Sequence, residues 1–121
     1  MQARVENIHW LSREAEEAEV LISSAGVQLL AFCCPCTRSV GTILREPLHA
    51  FSASQIQLSD SNFESIENTE GFKCKVVGTL IDHAQQLILA CDFLIQIDDY
   101  LPGGIQQGDI ISFNCSRIDL W

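Results

Sequence analysis

Basic residues are scarce in this 121-residue chain: Lys and Arg total 7 against 16 Asp and Glu, for a net charge of -9. Proteins grip a nucleic-acid backbone with clustered cations, so DNA and RNA are not expected as partners. Docking on an anionic membrane surface is excluded on the same ground. Long apolar runs are missing too, since stretches such as Val27–Cys36 fall far short of a membrane span. The opening MQARVENIHWLSREAEEAEV has no basic segment followed by an apolar run. It does not read as a secretory signal, so the expected compartment is the cytosol. Thiols stay reduced there, and the six cysteines (Cys33, Cys34, Cys36, Cys74, Cys91, Cys115) are expected as thiols, several of them small core hydrophobes. Low-complexity tracts and Ser/Gly linkers are lacking, which leaves one domain over residues 1–121. G-x-S-x-G, P-loop and dinucleotide fingerprints are lacking as well.

What the chain has is apolar content, 47% against 19% charged, enough for a packed core. Pro and Gly punctuate short β-forming segments. Ala3–Leu11 reads as a strand, and Arg13–Glu19 as a helical turn or a polar lead-in to the next strand. Glu19–Ser23 and Val27–Cys34 form a hairpin across Ser24-Ala25-Gly26, and Pro35 ends its second arm. Gly41–Leu44 and Leu48–Phe51 are short strand candidates, Gln55–Leu58 alternates, and the acidic Asp60–Gly71 reads as a solvated loop. In Phe72–Ile81, residues Phe72, Cys74, Val76 and Leu80 share one face, with a bulge or bend at Gly78. Gln86–Cys91 and Phe93–Asp98 follow the turn His83-Ala84-Gln85. The final strand, Ile110–Ile118, turns Ile111, Phe113 and Cys115 inward. The sum is about seven to nine short strands with at most one short helix, spaced as an antiparallel barrel or barrel-like sandwich requires. Val27–Phe51 and Phe93–Phe113 echo each other, each running apolar strand, Pro, Gly, strand.

The stretch Phe72–Asp119, ending LPGGIQQGDIISFNCSRIDL, resembles small barrels of the oligonucleotide/oligosaccharide-binding type. The resemblance implies a binding face of aromatic and basic residues, for which the segment offers Lys73, Lys75, Arg117 and Tyr100. In overall profile (short, acidic, cytosolic, mostly β) the chain is also similar to bacterial immunity proteins, which neutralise toxins by binding them.

Several constellations bear on chemistry. Cys33 and Cys36 form a C-x-x-C pair, and with His49 they give the first three ligands of a zinc-finger spacing. The fourth is missing, since Ala53, Ser54 and Gln55 stand where a His is needed. Pro35 after an apolar strand does not promise the helix N-terminus that a redox C-x-x-C uses. Cys36 with His49 or His83 shows no oxyanion hole from spacing. Asp98 and Asp99 diverge if they lie on a strand, and with Asp109 they do not match a calcium loop. Trp10 and Trp121, near the two termini, would plug one end of the barrel if the terminal strands pair.

The reading is a non-enzymatic protein-binding module without a cofactor, with toxin immunity as its most concrete form. An oligonucleotide- or oligosaccharide-binding barrel and a small Cys-based metal protein are the alternatives. Residues 46–121 hold eleven of the acids against three bases. A basic partner, such as a toxin domain, is therefore expected to dock on Asp60, Glu64, Glu67 and Glu70, and on Asp98, Asp99 and Asp109 around the Pro102–Gly104 turn.

Overall fold

The computed structural model describes residues 2–121. Among them are eleven strands and no helix: β1 (Arg4–Ser12), β2 (Glu17–Ser24), β3 (Val27–Cys33), β4 (Leu48–Phe51), β5 (Ser54–Leu58), β6 (Ser65–Glu70), β7 (Lys73–Asp82), β8 (Leu87–Ala90), β9 (Phe93–Ile97), β10 (Ile110–Cys115) and β11 (Arg117–Leu120). No helix of the described residues is long and apolar enough to cross a membrane. The strands make one sheet in the order β1-β2-β3-β11-β4-β9-β8-β7-β10-β5, with β6 added to β7. Period-2 patterning builds it. On β2, Ala18, Val20 and Ile22 are fully buried while Glu17, Glu19 and Leu21 face outward. The core joins Val5, Leu29, Ala31, Ile95, Phe93, Phe113 and Ile118 from both ends of the chain.

The two halves repeat in geometry, but not along the echo of Val27–Phe51 and Phe93–Phe113: β4 corresponds to β11, outside the echo, rather than to Ile110–Phe113. The β1-β2-β3 meander of the first half corresponds to β7-β8-β9 of the second. In the first turn of each, Ser12 Oγ and Asp82 Oδ1 accept from the N–H three residues on, both at 3.1 Å. Both turns end on a left-handed residue, Glu16 at φ 56° and Gln86 at φ 57°. Both tight hairpins have two left-handed central residues, Ala25-Gly26 and Cys91-Asp92. The long loops that follow turn alike. Gly41 donates its N–H to Val5 O (2.8 Å) and Gly108 to Leu80 O (2.7 Å), while Val5 and Leu80 donate back to Thr42 O and Asp109 O, both at 2.9 Å. Both glycines need left-handed backbone, at φ 91° and 97°. Each half then lends its last strand to the other: β4 lies parallel to β9, and β11 parallel to β3. β4 and β11 pair antiparallel with Ala50 opposite Ile118, where the approximate two-fold axis passes.

The backbone ladder does not close into a barrel. β6 faces β3 across a seam that side chains span. Asn68 Oδ1 accepts from Leu30 N–H at 2.8 Å and its Nδ2 donates to Leu30 O at 3.1 Å. Nearby, Phe72 meets Phe32 edge to face at 5.8 Å. β7 changes neighbours at Gly78, with β6 alongside Lys73–Val77 and β8 alongside Thr79–Asp82. A Cβ at Gly78 would lie 2.6 Å from Ile88 Cγ2 and 2.7 Å from Leu89 O, so the crossing is built on the absence of a side chain.

Of the two readings of Arg13–Glu19, the polar lead-in holds: residues 13–16 form a turn into β2. Four expectations change. The sheet is mixed rather than antiparallel, because β4, after the long link from β3, lies parallel to β9, and β11, one residue after β10, lies parallel to β3. Half of the acidic Asp60–Gly71 segment is β6, since Ile66 is buried and Asn68 turns to Leu30 while Ser65, Glu67, Thr69 and Glu70 are exposed. Gly41–Leu44 contributes only a bridge between Arg4 and Ile43, and Ile110–Ile118 breaks at Ser116, whose N–H donates to Phe51 O at 2.9 Å. The terminal strands do not pair: β1 sits on β2 while β11 is central, and the two tryptophans belong to separate clusters.

Candidate functional site: the outer face of the axis strands

Strand alternation that buries Ala31, Ala50 and Ile118 turns their neighbours outward. Register then aligns Glu19, Phe32, Asp119, His49 and Gln96 into one row across β2, β3, β11, β4 and β9. Arg117 and Phe51 face each other in the adjacent row. The Arg117 guanidinium lies 4.6 Å from the Phe32 ring centre and 4.4 Å from that of Phe51. Its Nε donates to Asp119 Oδ1 at 2.6 Å. A cation held between two rings gains about 0.5–2 kcal/mol per ring, depending on desolvation. Here it fixes both phenyl planes on the sheet.

Next to this stack, His49 lies flat on Trp121, with ring centres 3.4 Å apart and planes within 10°. His49 is 8% exposed, and its Nδ1 lies 3.5 Å from Asp98 Oδ2 without an aligned hydrogen bond. The Arg38 guanidinium donates to the Trp121 carbonyl. Phe51 and Trp121 stay 49% and 66% exposed. A cleft of about 380 Å³ opens between Glu17, Phe32, Cys34, Asp119 and Trp121. The face is thus flat and aromatic on rigid strands, with carboxylates along its border.

The acids picked out from sequence fall on separate elements. Asp60 is exposed in the link between β5 and β6. Glu64 accepts from Thr79 Oγ1 at 3.1 Å and from Cys91 N–H at 3.0 Å, which ties its segment to β7 and the β8–β9 hairpin. Glu67 and Glu70 stand on β6 opposite Lys75 and Lys73. Asp99 accepts from Ala53 N–H and Asp109 from Gln106 N–H, both at 2.8 Å. Asp98 is the one that reaches the aromatic face, beside His49. Sequence reading did not assemble Phe32, Phe51, His49 and Asp119 with Arg117. The alternation Arg117-x-Asp119 was visible, but the strand exchange that places β11 between β3 and β4 was not.

All six cysteines are free thiols. Cys33 and Cys36 are buried at the end of β3, and Cys34 is exposed. Burial, reinforced by the Cys36 thiol, pushes the Cys33 thiol up to about 12. His49 is turned to Trp121 and Asp98, and the described residues contain no cluster of three or more groups suited to a metal ion. His83 is exposed in its turn. Lys73 and Lys75 lie on β7, and Tyr100 is 97% exposed in the link after β9.

In comparisons with known proteins, no family model, no curated protein and no solved structure matches the chain.

Proposed function

We propose that the chain is a non-enzymatic protein-binding module that docks a basic protein partner on the outer face of β3, β11 and β4. The observation that carries this reading is the Phe32–Arg117–Phe51 stack beside the exposed Trp121. Aromatic residues and Arg dominate the energetic centres of protein interfaces, and rigid strands lower the entropy cost of presenting them. Asp98, Glu17 and Glu19 border the face, and with a chain charge of -9 they favour cationic partners and repel nucleic acid and anionic membranes. The most concrete form is immunity: a cytosolic protein that blocks a basic toxin domain by covering it. The test is co-expression with the toxic domain of any large secreted protein encoded beside this chain. Growth rescue and co-elution are expected, both lost in Phe51→Ala and Trp121→Ala variants that keep the parent's circular dichroism. Binding unchanged in both variants would remove this face from the interaction.

The stacked rings also favour a second reading, single-strand oligonucleotide binding, because aromatic platforms stack bases regardless of sequence. Tryptophan fluorescence during titration with a mixed single-strand DNA decides between them. Submicromolar quenching that weakens steeply with salt would favour the second reading.

A further inference from the structure

We propose that Cys74 and Cys115 form a two-thiol modification site, which a small oxidant of the peroxide class converts to a cross-strand disulfide. The two residues are directly opposite in the β7–β10 ladder, as its last registered pair. Opposed residues in an antiparallel pair hold their Cα atoms about 4.5–5.5 Å apart. That lies inside the separation of about 4.4–6.8 Å that a disulfide spans. Both side chains turn to the same inward face, at 1% and 4% exposure. Contact with the Cys74 thiol, together with burial, pushes the Cys115 thiol upward. No other two cysteines face each other across paired strands.

Access comes from a cleft of about 370 Å³ that reaches both cysteines, with Ser52, Ser54, Thr69, Lys73 and Asn114 along its walls. Its polar walls suit water and hydrogen peroxide. The position at the end of the ladder leaves the backbone beyond it, at Ser116, free of β7.

The chemistry balances with peroxide as the named oxidant. One thiol gives its proton to solvent, and the thiolate attacks a peroxide oxygen. The O–O bond breaks, leaving a sulfenic acid and a hydroxide that takes up a proton to become water. The second sulfur attacks the sulfenic sulfur, the S–O bond breaks, and a second water leaves. Two thiols and one peroxide become one disulfide and two waters. The raised Cys115 thiol makes the first step slow and the disulfide, once formed, hard to reduce.

The experiment treats the folded chain with hydrogen peroxide and maps its cysteines by peptide mass spectrometry without reductant. The expected result is a Cys74–Cys115 crosslink as the first disulfide, lighter by two hydrogens, with circular dichroism unchanged. A first disulfide at Cys33–Cys36, or a Cys74–Cys115 link that forms only after unfolding, would overturn the proposal. So would oxidation confined to the exposed Cys34 while Cys74 and Cys115 remain alkylatable on unfolding. In Cys115→Ser the stalled sulfenic acid is expected at Cys74, trapped by dimedone. Should that variant not fold, the map of the parent protein decides alone.

Discussion

The side-chain amide of Asn68 takes both backbone hydrogen-bonding groups of Leu30, standing in for a strand residue across the seam between β6 and β3. A ladder pair would have done the same with two backbone groups. Here one side chain does it, and without it the half-buried Leu30 peptide groups lose their partners. Asn68→Ala is therefore expected to destabilise the fold by about 1–3 kcal/mol, the cost of leaving buried groups unpaired. Asn68→Asp is expected to do no better, since a carboxylate offers no donor to Leu30 O. Urea denaturation measures both, and a midpoint unchanged in Asn68→Ala would show that the seam is held elsewhere.

The approach of β8 to Gly78 leads to a second expectation. An added methyl group meets the Leu89 carbonyl at 2.7 Å, and backbone cannot step aside as a flexible side chain can. Gly78→Ala should cost roughly 1–3 kcal/mol or more, as overpacked cores do. Gly103 has nothing within 4 Å of its Cβ position, so Gly103→Ala serves as the neutral control. Equal melting temperatures for the two variants would contradict the crossing geometry.

Alkaline pH should unfold the chain through its buried thiols. Cys33 moves from an ordinary 9.0 to about 12, so the folded state keeps a proton that the unfolded chain releases. Its contribution is complete below pH 9.0 and is lost as pH rises toward about 12. Cys115 shifts in the same direction. Stability measured by denaturant titration should fall across that window, less steeply in Cys33→Val. A flat profile would mean that these thiols are solvated.

Charge at the proposed docking face has its own test. Asp98→Lys should slow association with the basic partner several-fold at low salt, and less at high salt where surface charges are screened. Asp99 and Asp109 cap backbone N–H groups, so reversing them is expected to lower stability before it says anything about binding. Stopped-flow association rates that do not change for Asp98→Lys would place the contact elsewhere.

The alternation in Ile110–Cys115 made that strand legible, because burying one face forces period 2 on the sequence, while Val27–Cys33 was legible from its run of apolar, β-forming residues. The turns were legible where Gly26 and Gly108 require left-handed backbone. What stayed hidden was pairing between distant segments. Nothing local to Arg117 or His49 announces that β11 will lie beside β4, so the aromatic face could not be assembled residue by residue. A related kind of pairing was hidden for the acids: Glu64, Asp99 and Asp109 look like free surface charge in the sequence, and their carboxylates also hold backbone N–H groups of the loops. The sequence of β6 resembles a loop because its one buried residue, Ile66, sits among acids.

The mutual loan of β4 and β11 also fixes the order in which the molecule can come into being. During synthesis the chain leaves the ribosome from its N-terminus, and β3 and β4 emerge with bare edges on the sides that β11 and β9 will occupy. A first half alone holds a meander whose neighbour has not been made, and it must stay uncommitted while the second half is added. The pairs that β11 makes with β3 and β4, at the centre of the sheet, must wait for the last residues of the chain. The route to the native state is therefore long in sequence separation and late in time, with the aromatic face coming together in its closing step.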